Sequence, residues 1–190
     1  KVTPLDAAGR KAIAAMLRGF AEQGLRAVAV ATKPCATVGA TLEPADEANL
    51  IFDGFCTFQD PPKPSAVAAI KRLIAAGVRV KVLSGDDPIV VARIAGLVGL
   101  NGDLVLSGTN LQGLSDDALR VQVKTVDAYG RLTPDQKVRV VRALQAAGET
   151  VGFLGDGVND APGLRIADVG LSVDGATGVA RAAADMILLA

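Results

Sequence analysis

Histidine and tryptophan are absent from the 190 residues, which include only two cysteines, one tyrosine and five phenylalanines. Without histidine, a zinc or haem centre loses its commonest ligand. Cys35 and Cys56 are too far apart for a C-x-x-C pair and too few for a disulfide framework, so both read as small apolar residues. Aromatic residues make up 3% of the chain, too few for platforms on which bases stack. Lys plus Arg match Asp plus Glu at 20 each, so no basic field invites nucleic acid as a partner and no acidic tail is present. No run reaches the roughly 18 uninterrupted apolar residues of a membrane span. The opening KVTPLDAAGRK also lacks the apolar segment of a signal peptide. The chain is expected to be a soluble, intracellular piece, and its start at Lys1 rather than Met points to a longer parent.

Apolar residues are plentiful, at 50%, enough for a sizeable core. Ile13, Met16, Leu17 and Phe20 recur at helical spacing up to Gly24, and LRAVAVATKP then reads as a strand ended by Pro34. Residues 35–49 are polar, with Gly39 and Pro44, and read as a linker or long loop. From Leu50 short apolar strands alternate with helices. The strands are LIFDGFCTF, VRVKVL, LVL, TVGFL, DVGLSV and DMILL. The helices are SAVAAIKRLIAAG, with Val67, Ile70, Leu73 and Ile74 inward, then DPIVVARIAGLVG capped by Asp87, SDDALRVQV capped by Ser115, TPDQKVRVVRALQAAG and ATGVARAAA. Thr133 and Gln136 form a T-x-x-Q capping box with Pro134 at the first helical position. This alternation predicts an α/β architecture: a Rossmann-like parallel sheet with helices on both faces.

Ligands of such sheets bind beyond the carboxyl ends of strands. Two strands end there in polar, glycine-containing loops, Ser84-Gly85-Asp86 and Gly155-Asp156-Gly157-Val158-Asn159-Asp160. Helix starts behind such loops favour anions, yet the second loop is itself acidic. A carboxylate beside a phosphate calls for a cation between them, and Mg²⁺ takes carboxylate, phosphate and water oxygens. Asp156 and Asp160 are therefore candidate Mg²⁺ ligands, with Gly155 and Gly157 allowing close backbone approach. A plain turn capped by Asp and Asn is the bland alternative; two acids, an Asn and a second polar loop on the same edge favour the site. Ser84 could hold phosphate oxygens, although S-G-D alone reads as a turn. Lys137 sits in the first turn of its helix, where a cation opposes the dipole; a solvated lysine is the bland alternative and a phosphate the functional one. A hydroxyl, a lysine and paired acids make a phosphoryl-transfer set that lacks the accepting group.

The ordered strings SGD (84–86), RLTPDQK (131–137) and GDGVNDAP (155–162), with DPPK (60–63) and ADVGLSVDGATGVARAAADMILL (167–189), resemble the P-type ATPases. These are ion pumps whose phosphorylation domain has the haloacid-dehalogenase fold. The resemblance covers roughly Leu50 to Leu189. It implies that Asp156 ligates Mg²⁺ and that Asn159 and Asp160 order the metal's water and the phosphate, Asp160 also near the metal. It implies that Ser84, Gly85 and Asp86 serve phosphate and nucleotide, that Lys137 contacts the transferred phosphoryl, and that Asp60, Lys63 and Arg131 approach ATP. Residues 1–44 then correspond to the end of a small α+β nucleotide-binding domain and a linker, and 45–190 to the phosphorylation domain. Details such as VKVLSGD and SVDGA are most similar to the bacterial magnesium-transporting group.

The family's phosphorylated aspartate lies in D-K-T-G-T, a string this chain does not contain. The implied parent is an integral protein of the plasma (inner) membrane with this part on its cytoplasmic side. Its partners would be ATP, the transported cation and the remaining domains, while the chain alone is expected to be inactive. The alternatives are a stand-alone phosphatase of the same superfamily, which needs a D-x-D that is also absent, and a non-catalytic module binding Mg²⁺ or nucleotide. Gly163 replaces a common Ala or Ser of the family and is expected to matter little.

Overall fold

Sixteen residues, Ala7–Glu22, form the first helix, α1, and the Asp6 carboxylate caps it by accepting from the Gly9 N–H at 2.7 Å. A computed structural model describes residues 2–34, 43–59 and 61–189 and divides the chain into two units, Lys1–Pro61 and Pro62–Ala190. Gly24, at φ 77°, turns the chain from α1 into β1 (Leu25–Thr32). β1 pairs antiparallel with β2 (Ile51–Gln59), from Leu25 opposite Gln59 to Thr32 opposite Ile51. The ring of Phe55 joins α1 to this ribbon, edge-on to Phe20 at 5.6 Å and to Phe52 at 5.2 Å. The expected boundary after residue 44 therefore differs from the observed division. The strand assigned by sequence to the second domain pairs instead with β1, which carries it into the first unit.

The second unit holds α2 (Pro64–Ala75), β3 (Val82–Leu83), α3 (Pro88–Leu97), β4 (Val105–Ser107), α4 (Gly108–Gln112) and α5 (Asp116–Gln122). It continues with β5 (Ala128–Gly130), α6 (Pro134–Ala146), β6 (Gly152–Leu154), α7 (Ala161–Ile166), β7 (Val169–Val173), α8 (Gly178–Ala183) and β8 (Met186–Leu188). Its strands are parallel, in two sheets of three, ordered β3-β5-β4 and β6-β7-β8. Both loops singled out by sequence follow edge strands, β3 and β6. The caps stand as expected: Asp87 accepts from Ile89, Ser115 from Ala118, and Thr133 and Gln136 close their reciprocal box.

Three elements escape sequence reading. β5 is only Ala128-Tyr129-Gly130, too short to show a period, yet it is the fully buried centre of its sheet. α4 begins at a capping box of Ser107 and Asn110, and α7 follows directly from the acidic loop. One helix face also differs. Ile70 packs against the buried cluster that Val91, Ala95 and Val98 form with Leu100 and Ala128, but Leu73 and Ile74 are 43% and 49% exposed rather than inward.

Buried side chains of α5, α6, β6, α7 and α8, such as Leu119, Val140, Phe153, Leu164 and Ala180, form one core with Tyr129 of β5. Gly163 lies against it. A methyl group at this position would stand 2.8–3.1 Å from three ring atoms of buried Phe153, so the space that Ala or Ser would fill already belongs to that ring.

Candidate functional site

The acidic loop begins where β6 ends, and part of its polar main chain is held by neighbouring segments. The Gly155 N–H donates to the Leu171 carbonyl at 3.1 Å, and the Gly155 carbonyl accepts from the Ser172 hydroxyl at 2.8 Å. The Asp156 carbonyl accepts from the Thr177 N–H at 3.0 Å and from its hydroxyl at 3.2 Å. The Gly157 N–H donates to Asp160 Oδ2 at 3.2 Å, closing a single turn of tight helix over Val158–Asp160. Gly155 is required sterically: a Cβ there would lie 2.5 Å from the Asp160 Cβ. Gly157 meets only ordinary contacts.

Lys137 reaches this loop from the first turn of α6, its ammonium 2.7 Å from Asp160 Oδ1. Their side chains are only 13% and 15% exposed, so the pair is little screened by water. An acid thus answers the lysine that opposes its own helix dipole. Asp156 is exposed, and its carboxylate has no bond partner among the described residues. Asn159 is exposed beside it.

The second loop is bound to the segment that precedes α6. The Ser84 N–H donates to the Tyr129 carbonyl at 3.0 Å, and the Ser84 carbonyl accepts from the Leu132 N–H at 3.0 Å. The Asp86 carbonyl accepts from the Arg131 N–H at 2.7 Å. Within the loop, the Ser84 hydroxyl accepts from the Asp86 N–H and donates to Asp86 Oδ2, each at 3.1 Å. Gly85 leads the chain past the Leu132 carbonyl. Arg131 adopts φ 50°, unusual for a residue with a side chain, and its guanidinium reaches Asp87 Oδ2 at 2.6 Å. The preceding Gly130 lies so close to Pro88 that a Cβ would stand 2.8 Å from its Cα.

Residues 130–137 therefore connect the two loops: Arg131 and Leu132 hold one, and Lys137 holds the other. Of the residues singled out by sequence, Lys137 and Asp160 are in contact, Asp156 and Asn159 belong to the same loop as Asp160, and Ser84, Gly85, Asp86 and Arg131 are joined to Lys137 through this segment. Lys63 is exposed just ahead of α2, with no bond to the others among the described residues. Asp60 lies outside the described residues. Sequence reasoning missed Ser172 and Thr177. Only the cap pattern of Thr177 ahead of α8 was visible, and nothing in it signals a bond to a residue 21 positions earlier.

Among the described residues, two titrating groups away from the loops are perturbed. The Asp168 carboxyl lies below its usual range because it accepts from the Val151 N–H and from Gln145. Burial, and secondarily the charge of Asp127, pushes the Tyr129 phenol well above its usual value.

The donor set fits a hard divalent cation. It offers two carboxylates, that of Asp156 unengaged, with a lysine able to move onto an anion that the cation brings. No group of three or more His, Cys, Asp or Glu able to hold a metal occurs among the described residues. Mg²⁺ needs fewer, because it keeps water and phosphate oxygens in its shell.

Comparison with known proteins yields a family model and many relatives. The model of a haloacid dehalogenase-like hydrolase matches residues 10–168. The "Magnesium-transporting ATPase, P-type 1" of Salmonella typhimurium (strain LT2) is 45% identical over 188 residues, 99% of this chain and 21% of that protein. The protein of the same name from Escherichia coli (strain K12) is 44% identical over 189 residues, 100% of this chain and 21% of its own length. The "Calcium-transporting ATPase 1" of Lactococcus lactis is 36% identical over 171 residues, 89% of this chain and 20% of that protein. The chain thus spans about a fifth of the length of these relatives. Among the described residues no helix is long and apolar enough to cross a membrane.

Proposed function

We propose, from the premise that this chain belongs to the haloacid dehalogenase-like hydrolases, that it is the phosphorylation-domain part of a P-type ATPase. The parent moves a cation, magnesium ahead of other ions, driven by ATP hydrolysis through an aspartyl-phosphate. It lies in the plasma (inner) membrane, with this part on the cytoplasmic side. The relatives' names support the ion, and the order of motifs supports the pump. The observation that carries the chemistry is the ammonium of Lys137 on Asp160 beside the unengaged Asp156.

In this reading Asp156 and Asp160 hold Mg²⁺, which offsets the charge on the transferring phosphoryl group. Lys137 neutralises Asp160 in the resting loop and swings to a phosphoryl oxygen when one arrives. The Asn159 amide donates to the same group or to its water. The Ser84 hydroxyl exchanges its bond to Asp86 for a phosphate oxygen. Asp60, Lys63, Gly85, Asp86 and Arg131 serve the nucleotide side, Arg131 also holding Asp87.

The accepting aspartate comes from a strand elsewhere in the parent. β3 and β6 carry the two loops, and each has one edge without a strand partner among the described residues. A parallel strand added at such an edge would satisfy exposed backbone groups and end beside the loop that follows it. A stand-alone phosphatase or a non-catalytic binding module remain the competing outcomes.

The test is phosphorylation of the full-length protein by ATP with and without Mg²⁺. Asp156→Ala is expected to abolish the Mg²⁺-dependent aspartyl-phosphate, and chain 1–190 by itself to give no turnover. A full-length Asp156→Ala protein that phosphorylates normally would overturn the assignment, and robust turnover by the isolated chain would favour the phosphatase.

A further inference from the structure

The two acids of the loop are held in different ways. Asp160 is held by its own oxygens, one on the Lys137 ammonium and the other on the Gly157 N–H. Asp156 has no bond to its carboxylate among the described residues; only the main chain on either side of it is fixed. On the upstream side, the carbonyl of Gly155 accepts the Ser172 hydroxyl at 2.8 Å. Ser172 is fully buried in β7, the one buried polar residue among those described. On the downstream side, the carbonyl of Asp156 accepts both the N–H and the hydroxyl of Thr177. The same hydroxyl accepts from the Ala180 N–H at 3.3 Å and so caps α8.

We infer that Ser172 and Thr177 are positioning residues for the Asp156 carboxylate, resting on the proposal that this carboxylate ligates Mg²⁺. With the peptide groups on both sides immobilised, the Cα of Asp156 is fixed while all its carboxylate lone pairs stay free for a cation. Mg²⁺ tolerates little error, since it demands near-octahedral oxygens at about 2.0–2.1 Å. Groups that orient ligands from behind typically change metal affinity by about 10–100-fold when removed. The Thr177 hydroxyl has a donor role and an acceptor role, and serine retains both. Valine keeps the shape and loses both.

The test uses the full-length protein and two readouts. One is the Mg²⁺ concentration giving half-maximal phosphorylation by ATP. The other is the Mg²⁺-dependent rise in melting temperature with a phosphate mimic present, counting only the part that Asp156→Ala removes. Thr177→Val and Ser172→Ala are expected to raise the half-saturating Mg²⁺ about tenfold in both readouts, and Thr177→Ser to stay within about twofold of the parent. Leu119→Ala, in the buried core of α5, lowers the melting temperature without moving the Mg²⁺ requirement and so separates placement from stability. If Thr177→Val fails to fold, Ser172→Ala carries the test. Lowered melting temperatures with an unchanged Mg²⁺ requirement would overturn the inference while Asp156→Ala, being inactive, keeps the site. An active Asp156→Ala protein would remove both.

Discussion

Replacing Gly163 with alanine tests whether the ring of Phe153 has room to move. The added methyl would stand 2.8, 3.0 and 3.1 Å from Cζ, Cε2 and Cε1 of that ring. Phe153 is 8% exposed, the central residue of β6 and part of the main core, so its ring can yield only by displacing packed neighbours. Overpacking of this kind costs about 1–3 kcal/mol. Against it stands the gain of replacing a glycine inside α7, about 0.5–1 kcal/mol. The clash should win, leaving Gly163→Ala less stable by about 0.5–2 kcal/mol. In a Phe153→Leu background the offending ring atoms are gone, and the same substitution should become stabilising by about 0.5–1 kcal/mol. The chain has one tyrosine and no tryptophan, and Tyr129 is buried in β5, so tyrosine fluorescence during urea unfolding reports this unit alone. A Gly163→Ala chain more stable than its parent, or an effect unchanged by Phe153→Leu, would refute the reasoning.

Lys137→Met strands Asp160 with one backbone donor, and at 15% exposure this is expected to lower stability by about 2 kcal/mol in the same assay. Adding Asp160→Asn should recover part of the loss, giving a coupling of about 1–3 kcal/mol in the double-mutant cycle. Asp168 has a depressed folded pKa, so the bonds from Val151 and Gln145 stabilise the fold above the unfolded value of about 3.9 and fade as pH falls through the lower folded value. Unfolding midpoints of the parent and Asp168→Asn should therefore differ near neutrality and converge in acid.

Wherever one local signal sufficed, element identity was legible along the chain. Asp87, Ser115 and Thr133 announced their helices because a cap bonds only two or three residues ahead. The acidic loop stood out for a similar reason: Asp156, Asn159 and Asp160 are close together in sequence and follow an apolar strand. Lys137 was legible because its charge has the wrong sign for its place on the helix. Burial of short segments and long-range partners was decided elsewhere. Ala128-Tyr129-Gly130 becomes a central strand only because β3 and β4 flank it, and three residues have no readable period. Ile51–Gln59 joined the first unit because β1 offered an antiparallel edge, and strand propensity does not name a partner. Phe153 gave Gly163 its meaning, and Ser172 and Thr177 reached back 17 and 21 residues to hold two carbonyls. Short-range hydrogen bonds and charge placement follow from neighbours in the chain. Steric exclusion and the satisfaction of distant backbone groups exist only once the chain has folded on itself.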